Sequence, residues 1–151
     1  MVAIVTATQA HVEQMLPHVR QADRDEAMAA YGWPAESMLG AAVKNSDIAW
    51  AGLVDDQVAC LFGVQGATIL SEVGFPWLIG TDLVDAHAKA FLRRNRKMVD
   101  VMLDRYPLLE NYVDVRNTRS IAWLKWLGFE MGEPQPYGVY RMPFIKFWKA
   151  R

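Results

Sequence analysis

The stretch that decides the fold is Asn111-Tyr-Val-Asp-Val-Arg-Asn-Thr-Arg-Ser-Ile-Ala-Trp-Leu-Lys-Trp-Leu-Gly-Phe129. The residues from Tyr112 to Val115 favour extended structure and predict a strand. Asn117 is a favourable N-cap, because its side-chain oxygen can accept a free backbone N–H from the first helical turn. Apolar residues then recur every three positions, at Ile121, Leu124 and Leu127. Gly128 is expected to end this helix, because glycine tolerates the left-handed conformation that closes a helix.

Part of this stretch resembles the Asn-x-x-Ala-Ile … Leu-Gly-Phe segment of the GNAT superfamily of acyl-CoA-dependent N-acyltransferases. The matching residues are Asn117, Ser120-Ile121 and Leu127-Gly128-Phe129. A narrower resemblance is to a family of small phage proteins with a GNAT-like fold, some of which are described as internal virion or assembly proteins. It is carried by Tyr112-Val113, Asn117, the Ser-Ile and Leu-Lys pairs and the glycine after them.

Composition excludes several classes of protein. With 151 residues, 52% of them hydrophobic, the chain is expected to form one GNAT-like domain over residues 1–151. A net charge of −1 argues against a general nucleic-acid or membrane-surface binder. The single cysteine, Cys60, allows no internal disulfide and no cysteine-based metal site, and it is expected to be a buried, inert thiol. A cytoplasmic location follows, which would be the host cytoplasm or the virion for a phage protein.

Hydrophobic periodicity predicts the other elements. Strands are predicted at Val2 to Thr6, Ile48 to Val54, Val58 to Val64 and within Phe75 to Thr81, with residues 67–74 as a strand or an ordered loop. Asp55-Asp56-Gln57 predicts a hairpin turn between the second and third of these strands, although it lacks the glycine that the tightest turns prefer. Helices are predicted from Thr8 to Val19 (with a break at Pro17), Asp23 to Tyr31, Ala35 to Lys44 and Ala88 to Arg105. Residues 82–87 are interpreted as a connection, 133–136 as a linker, and 137–147 as one extended segment. The order β-α-α-β-β-β-α-β-α-β predicts an α/β (α+β) fold with a mixed central sheet and helices on both faces, as in GNAT proteins.

The resemblance implies acetyl-CoA as cofactor, held by free N–H groups at a helix start. The Gln/Arg-x-x-Gly-x-Gly/Ala loop of the superfamily falls on residues 85–90. Ala90 fits this pattern, Ala88 replaces the more permissive glycine, and Asp85 brings a charge that repels phosphate, so the loop is degenerate. An ordinary helix start, with Asp85 as a cap or dipole partner, is the alternative. Cofactor contacts are expected at Leu78, Ile79, Ala86, His87, Ala88, Lys89, Ala90, Asn117 and Ser120.

Catalysis needs a proton for the leaving thiolate and a base for the amine acceptor, whose identity the sequence leaves unknown. Many superfamily members place a tyrosine where this chain has Leu124. Tyr140 is the candidate replacement acid, with a packing role as the alternative. Glu72 is the candidate base, with a solvated loop carboxylate as the alternative. No metal site is expected, because His11 and His18 are seven residues apart, too far for shared coordination on one helix.

Two surfaces suggest partners other than a small substrate. The cations Arg93, Arg94, Arg96 and Lys97 can contact a CoA phosphate or a polynucleotide, or form a solvated helix face. The tryptophans Trp33, Trp123 and Trp126 can form a protein-binding surface or pack in the core. The sequence therefore leaves two main functions open, with a nucleic-acid binder using Arg93 to Lys97 as a weaker third. One is an acetyl-CoA-dependent N-acyltransferase. The other is a non-catalytic GNAT-like phage protein that acts in virion assembly or binds a host protein.

Overall fold

A computed structural model describes residues 1–68 and 70–151 of the chain. Its strands are β1 Val2–Thr6, β2 Ile48–Val54, β3 Gln57–Gly66, β4 Val73–Gly80, β5 Leu108–Asp114, β6 Glu130–Tyr137 and β7 Met142–Ala150. Together they form a mixed sheet in the order β1-β2-β3-β4-β5-β7-β6. Neighbouring strands are antiparallel except for β4 and β5, which run parallel. This parallel pair lies at the centre of the sheet.

The helices are α1 Gln9–Met15, α2 Gln21–Tyr31, α3 Ala35–Asn45, α4 Asp82–Ala86, α5 Ala88–Arg105 and α6 Thr118–Trp126. Helices α1 and α3 pack on one face of the sheet, where Met15 and Leu39 are buried with Leu61 of β3. Helix α5 packs on the opposite face, where Phe91 and Met102 are buried. The predicted mixed sheet with helices on both faces is confirmed. Within the described residues, no helix is both long and apolar enough to cross a bilayer.

Two predicted turns have the expected geometry. The β2–β3 hairpin turns at Asp55 and Asp56, whose φ angles are 48° and 70°. Aspartate tolerates this left-handed region better than most residues, so the hairpin forms without glycine. Gly128 follows α6 with a φ of 92°, which confirms its predicted role as the residue that ends the helix.

Several predicted boundaries were wrong. The 82–87 connection contains α4, which Thr81 caps by accepting the N–H of Leu83 at 3.2 Å. Strand β5 begins at Leu108, earlier than predicted, and β4 begins at Val73, inside the 67–74 segment, of which residue 69 lies outside the described part of the chain. Asn117 occupies the N-cap position of α6, but its side chain makes no capping hydrogen bond.

The C-terminal part of the chain also differs from prediction. Residues 133–136 are part of β6 and do not form a linker, because β6 is an edge strand, where proline is tolerated. Residues 137–147 form the end of β6, a turn and most of β7. At this turn, Gly138 lies so close to α2 that an added Cβ would come within 2.6 Å of the Ala29 carbonyl oxygen. The Val139 N–H donates to the Ala30 carbonyl at 3.2 Å, so the hairpin tip is fixed to the end of α2.

Candidate active site between strands β4 and β5

Strands β4 and β5 are paired only at their beginnings, where Val73 faces Leu108 and Gly74 faces Leu109. Beyond this point the strands diverge. Pro76 gives a physical reason. Along a strand, every second N–H group points to the same neighbouring strand, so after Gly74 the next N–H directed at β5 would belong to residue 76. Proline has no N–H group to donate there. The result is a V-shaped opening in the middle of the sheet.

A cavity of about 890 Å³ fills this opening. Its walls come from α2 and α3 on one face of the sheet and from α5 and α6 on the other. The cavity therefore joins the two faces, and two molecules entering from opposite sides can meet inside it. Most of the lining is apolar or aromatic, which is usual for a small-molecule site.

Glu26 of α2 is the main titratable group in the cavity wall. Its Oε1 accepts hydrogen bonds from the Asp114 N–H at 2.8 Å and from the side-chain amide of Asn117 at 3.5 Å. Burial raises the pKa of Glu26 to about 7, although the Asp114 N–H lowers it in part. Since a general base works best with a pKa near the operating pH, Glu26 has the properties of one.

Three tyrosines, Tyr31, Tyr112 and Tyr137, share the same wall. The rings of Tyr112 and Tyr137 are stacked, with centroids 4.0 Å apart. Burial raises the pKa of Tyr31, and the nearby charge of Glu26 raises it further. Burial, together with the neighbouring Tyr31 and Tyr112, also raises the pKa of Tyr137. Both phenols thus remain protonated near neutral pH and can donate a proton.

Asn95 of α5 is a buried amide in the opposite wall of the cavity. Its side-chain oxygen is buried and accepts no hydrogen bond from the described residues. A buried acceptor without a partner is costly, so an N–H donor in the cavity would remove a real penalty. Amide groups of a bound ligand meet this requirement.

An ionic cluster lies where the V opens widest, at the end of β4. The Arg20 guanidinium donates to Asp85 Oδ1 at 2.8 Å, to Asp23 Oδ1 at 3.3 Å and to Asn117 Oδ1 at 3.4 Å. Arg119 also contacts Asp85, at 3.1 Å. Asp23 accepts the Gly80 N–H at 2.8 Å, which ties α2 to β4. We call Arg20, Asp23, Asp85, Asn117 and Arg119 the Arg20 cluster.

The predicted cofactor residues lie in three places. Leu78, Ile79 and Ser120 line the cavity, and Asn117 is buried in the Arg20 cluster. The segment 86–90 lies at the junction of α4 and α5, outside the cavity wall. The Phe91 N–H donates to the His87 carbonyl at 3.2 Å, and no side chain caps the start of α5. An uncapped helix start can bind an anion, and the cofactor roles of residues 86–90 stay predictions.

The predicted catalytic residues do not line the cavity. Glu72 is exposed just before β4, at the closed end of the V. Tyr140 is 61% exposed in the β6–β7 turn. Leu124, at the position of the superfamily tyrosine, does line the cavity. The catalytic roles of Glu72 and Tyr140 stay predictions, and the structure adds Glu26, Tyr31 and Asn95 as candidates.

Sequence reasoning missed these candidates, although two of them leave a signal. Asn95 lies four residues after Phe91 and four before Val99, so it is an uncharged polar residue on the buried face of α5. Asp23 and Glu26 are three residues apart and therefore face the same side of α2. Polar groups placed on an apolar helix face are the pattern that points to them.

The tryptophans of the predicted protein-binding surface are dispersed in the structure, whereas three of the predicted cations lie together. Trp33 is 64% exposed between α2 and α3 and lines the cavity from that side, and Trp123 lines it from the other face of the sheet. Trp126 is 43% exposed and makes a cation–π contact with Arg96, whose guanidinium lies 3.9 Å from the ring centroid. Arg93, Arg94 and Lys97 border a separate cavity of about 680 Å³ beside β1.

The sequence and the structure compare differently with known proteins. No protein-family model matches the chain, and no curated protein matches it in sequence. A ribosomal-protein-alanine N-acetyltransferase from Brucella melitensis aligns over 99% of this chain and 99% of its own, with 12% identity and a TM-score of 0.72. An N-acetyltransferase from Staphylococcus aureus aligns over 99% and 98%, with 14% identity and a TM-score of 0.71.

A third similar structure contains a ligand. An aminoglycoside acetyltransferase in complex with coenzyme A aligns over 100% of this chain and 95% of its own, with 11% identity and a TM-score of 0.69. Identities this low carry information about architecture only. The chain has the fold of the GNAT acetyltransferases.

Proposed function

We propose that this protein is a GNAT-type N-acyltransferase that uses acetyl-CoA and an amine acceptor. The observation that carries the proposal is the V between β4 and β5, which opens into a cavity reaching both faces of the sheet. A thioester entering from the α5 and α6 side can meet an amine entering from the α2 and α3 side. Glu26, with a pKa of about 7, lies where such an amine would be.

The residues present fit acetyl-CoA. Asn95 offers an acceptor that lacks a partner, which suits the amide N–H groups of the pantetheine arm. The start of α5 offers free N–H groups for phosphate. Asp85 departs from the superfamily loop pattern and makes the loop degenerate. The Asp85 carboxylate nevertheless forms salt bridges with both Arg20 and Arg119, which neutralise its charge and reduce its repulsion of a nearby phosphate.

Acyl transfer forms a bond between the amine nitrogen and the acyl carbon and breaks the carbon–sulfur bond. Two protons leave the ammonium nitrogen, one before attack and one as the amide forms, and one proton reaches the departing sulfur. Glu26 can accept the first of these protons and pass it to solvent, and a cavity phenol, Tyr31 or Tyr137, can supply the proton for sulfur. The second proton from nitrogen then restores the phenol through solvent. Leu124 takes no part in this proton transfer, because its side chain has no ionisable group.

Calorimetry with acetyl-CoA tests the proposal. We expect saturable binding to the unmodified protein and weaker binding, by about tenfold, to Ala88→Asp, because a carboxylate at the start of α5 repels phosphate. Ala10→Asp is the matched control: the same change at an exposed position in the first turn of α1 should leave binding unchanged. Absence of heat and of a thermal shift at high micromolar acetyl-CoA would overturn the proposal.

A specific surface supports the second function, that of a non-catalytic phage virion or assembly protein or a host-protein binder. Tyr31, Trp33, Val139 and Tyr140 are all more than 40% exposed and lie together, because the β6–β7 tip packs against Gly32. Aromatic residues at this density favour a protein contact. This function predicts that Trp33→Ser combined with Tyr140→Ser prevents co-sedimentation with phage particles, whereas Glu26→Gln does not. Equal loss of co-sedimentation in the double variant and in Glu26→Gln would contradict this function.

A further inference from the structure

We infer that the α2 side of the cavity binds a primary amine that carries an uncharged apolar or aromatic body and no acidic group. This inference rests on the proposed function, for which it names the class of acceptor. It is carried by the charges and the aromatic rings of the cavity wall, taken together.

All the charged residues that line the cavity within the described part of the chain are acidic. Asp23, Glu26 and Glu110 line the cavity, and among the described lining residues there is no lysine, arginine or histidine. Asp23 is paired with Arg20, and Glu110 is paired with Lys146 at 3.2 Å. Glu26 has no cationic partner within 4 Å among the described residues, so its carboxylate is the one that a ligand cation can neutralise.

The same charge distribution selects against acids. A ligand carboxylate or phosphate in this part of the cavity would lose its hydration and find no counter-charge in the wall. It would also lie near Glu26, a like charge. An amino acid with a free carboxylate is therefore a poorer ligand than the corresponding simple amine.

Aromatic rings supply the second half of the site. The α2 side of the cavity is lined by Tyr31, Trp33, Phe75, Tyr112 and Tyr137. An ammonium group over the face of such a ring gains electrostatic energy, and an apolar body gains by burial against the others. The tight stack of Tyr112 on Tyr137 holds these two rings in place before any ligand arrives.

Four ligands that share a phenylethyl body and differ in their polar groups separate these contributions: phenethylamine, 2-phenylethanol, 3-phenylpropanoate and phenylalanine. Each is titrated by calorimetry at pH 8, where Glu26 is ionised, into the protein without acetyl-CoA. We expect phenethylamine to bind at least tenfold more tightly than the other three. Equal affinity for the alcohol or the acid would overturn the inference, as would absence of phenethylamine binding at millimolar concentration.

Variants of Glu26 and Tyr31 test whether the cavity wall causes the preference for phenethylamine. Glu26→Gln should weaken phenethylamine binding about tenfold and leave 2-phenylethanol unchanged, whereas Glu13→Gln, an exposed carboxylate on α1, should change neither. Tyr31→Leu should also weaken phenethylamine binding, and Tyr31→Phe should not, because the ring makes the contact. Tyr31 is 46% exposed, so both variants should fold. Unchanged binding in both Glu26→Gln and Tyr31→Leu would contradict the site.

A separate titration with CoA distinguishes this inference from the proposed function. Binding of CoA without binding of phenethylamine overturns the amine class and leaves acyl transfer standing. Binding of phenethylamine without binding of CoA supports the amine site and overturns the proposed transferase.

Discussion

The side-chain amide of Asn111 donates to the carbonyl oxygen of Pro76 at 2.9 Å, across the point where β4 and β5 cease to pair through their backbones. The Asn111 side chain thus takes the place of backbone hydrogen bonds at the vertex of the V, the point where β4 and β5 begin to diverge. The Asn111 side-chain oxygen also accepts the Tyr112 N–H at 2.9 Å, so one residue serves both strands.

Asn111→Ala removes both contacts, and we expect it to lower the free energy of unfolding by about 1–3 kcal/mol. Urea denaturation followed by tryptophan fluorescence measures this. Gln135→Ala, an exposed amide on the edge strand β6, is the control and should stay within about 0.5 kcal/mol of the unmodified protein. Equal effects of the two changes would show that the bridge does not stabilise the vertex.

The pH dependence of transfer distinguishes the two candidate bases. Because Glu26 must be ionised to accept a proton and its pKa is about 7, kcat/KM should rise with pH and level off above about pH 8. Glu26→Gln should remove this rise and most of the activity, and Glu72→Gln should preserve both. A pH profile that changes only in Glu72→Gln would identify Glu72, the residue predicted from the sequence, as the base.

Glu26 should also make stability depend on pH. Its pKa in the folded protein, about 7, exceeds its ordinary value of 4.5, so the folded state holds the proton more tightly than the unfolded state. The unmodified protein should therefore lose stability relative to Glu26→Gln as pH rises from about 4.5 to 7. The groups that act on Glu26 or feel its charge are Asp23, Asp114, Asn117, Tyr31 and Arg116, and all five remain in the variant. Thermal melts of both proteins across this range measure the difference, which should be constant outside it.

Asn95→Leu should have opposite effects on stability and on binding. Replacing a buried acceptor that lacks a partner by an apolar group of similar size should raise the free energy of unfolding by about 1 kcal/mol. The same change should weaken acetyl-CoA binding about tenfold, because the pantetheine amides lose their acceptor. Denaturant titration and calorimetry on one preparation give both values. A stabilised variant with unchanged affinity would contradict the cofactor role of Asn95.

The two arginines that share Asp85 should contribute very differently to stability. Arg20 is buried, and Arg20→Met would leave Asp23 with an uncompensated buried charge, which costs about 3–5 kcal/mol. Arg119 is more than half exposed, and Arg119→Met should cost at most about 1 kcal/mol. Guanidinium unfolding of both variants, with equal slopes, checks the contrast. Similar losses would mean that Asp23 is neutral in the folded protein.

Local signals predicted much of the fold. The periodicity of residues 88–105, the hairpin around Asp55 and Asp56, and the glycine that ends α6 all depend on neighbours within a few positions. The resemblance carried by Asn117 and the Leu-Gly-Phe segment predicted a mixed sheet with helices on both faces, which local patterns alone leave open.

The site depends on contacts that no local pattern contains. The hydrogen bond from Arg20 to Asn117 joins residues 97 positions apart, and the bond from Asp114 to Glu26 joins residues 88 positions apart. The contact with Arg20 goes with the loss of the expected capping role of Asn117. The fold also buries Glu26, which raises its pKa to about 7, although its hydrogen bonds from Asp114 and Asn117 lower that pKa in part. Glu72 and Tyr140 are plausible by residue type, but their positions relative to the V follow from strand register, which the sequence did not reveal.

The attachment of Gly138 and Val139 to the end of α2 has an evolutionary consequence. The hairpin tip supports the helix that carries Glu26 and Tyr31, yet it lies in a turn whose length affects no strand pairing near the vertex. Insertions or deletions at 138–141 would therefore reshape the α2 side of the cavity while its α5 side and the sheet register stay constant. Homologous chains that bind different molecules in this cavity are expected to diverge first in this turn.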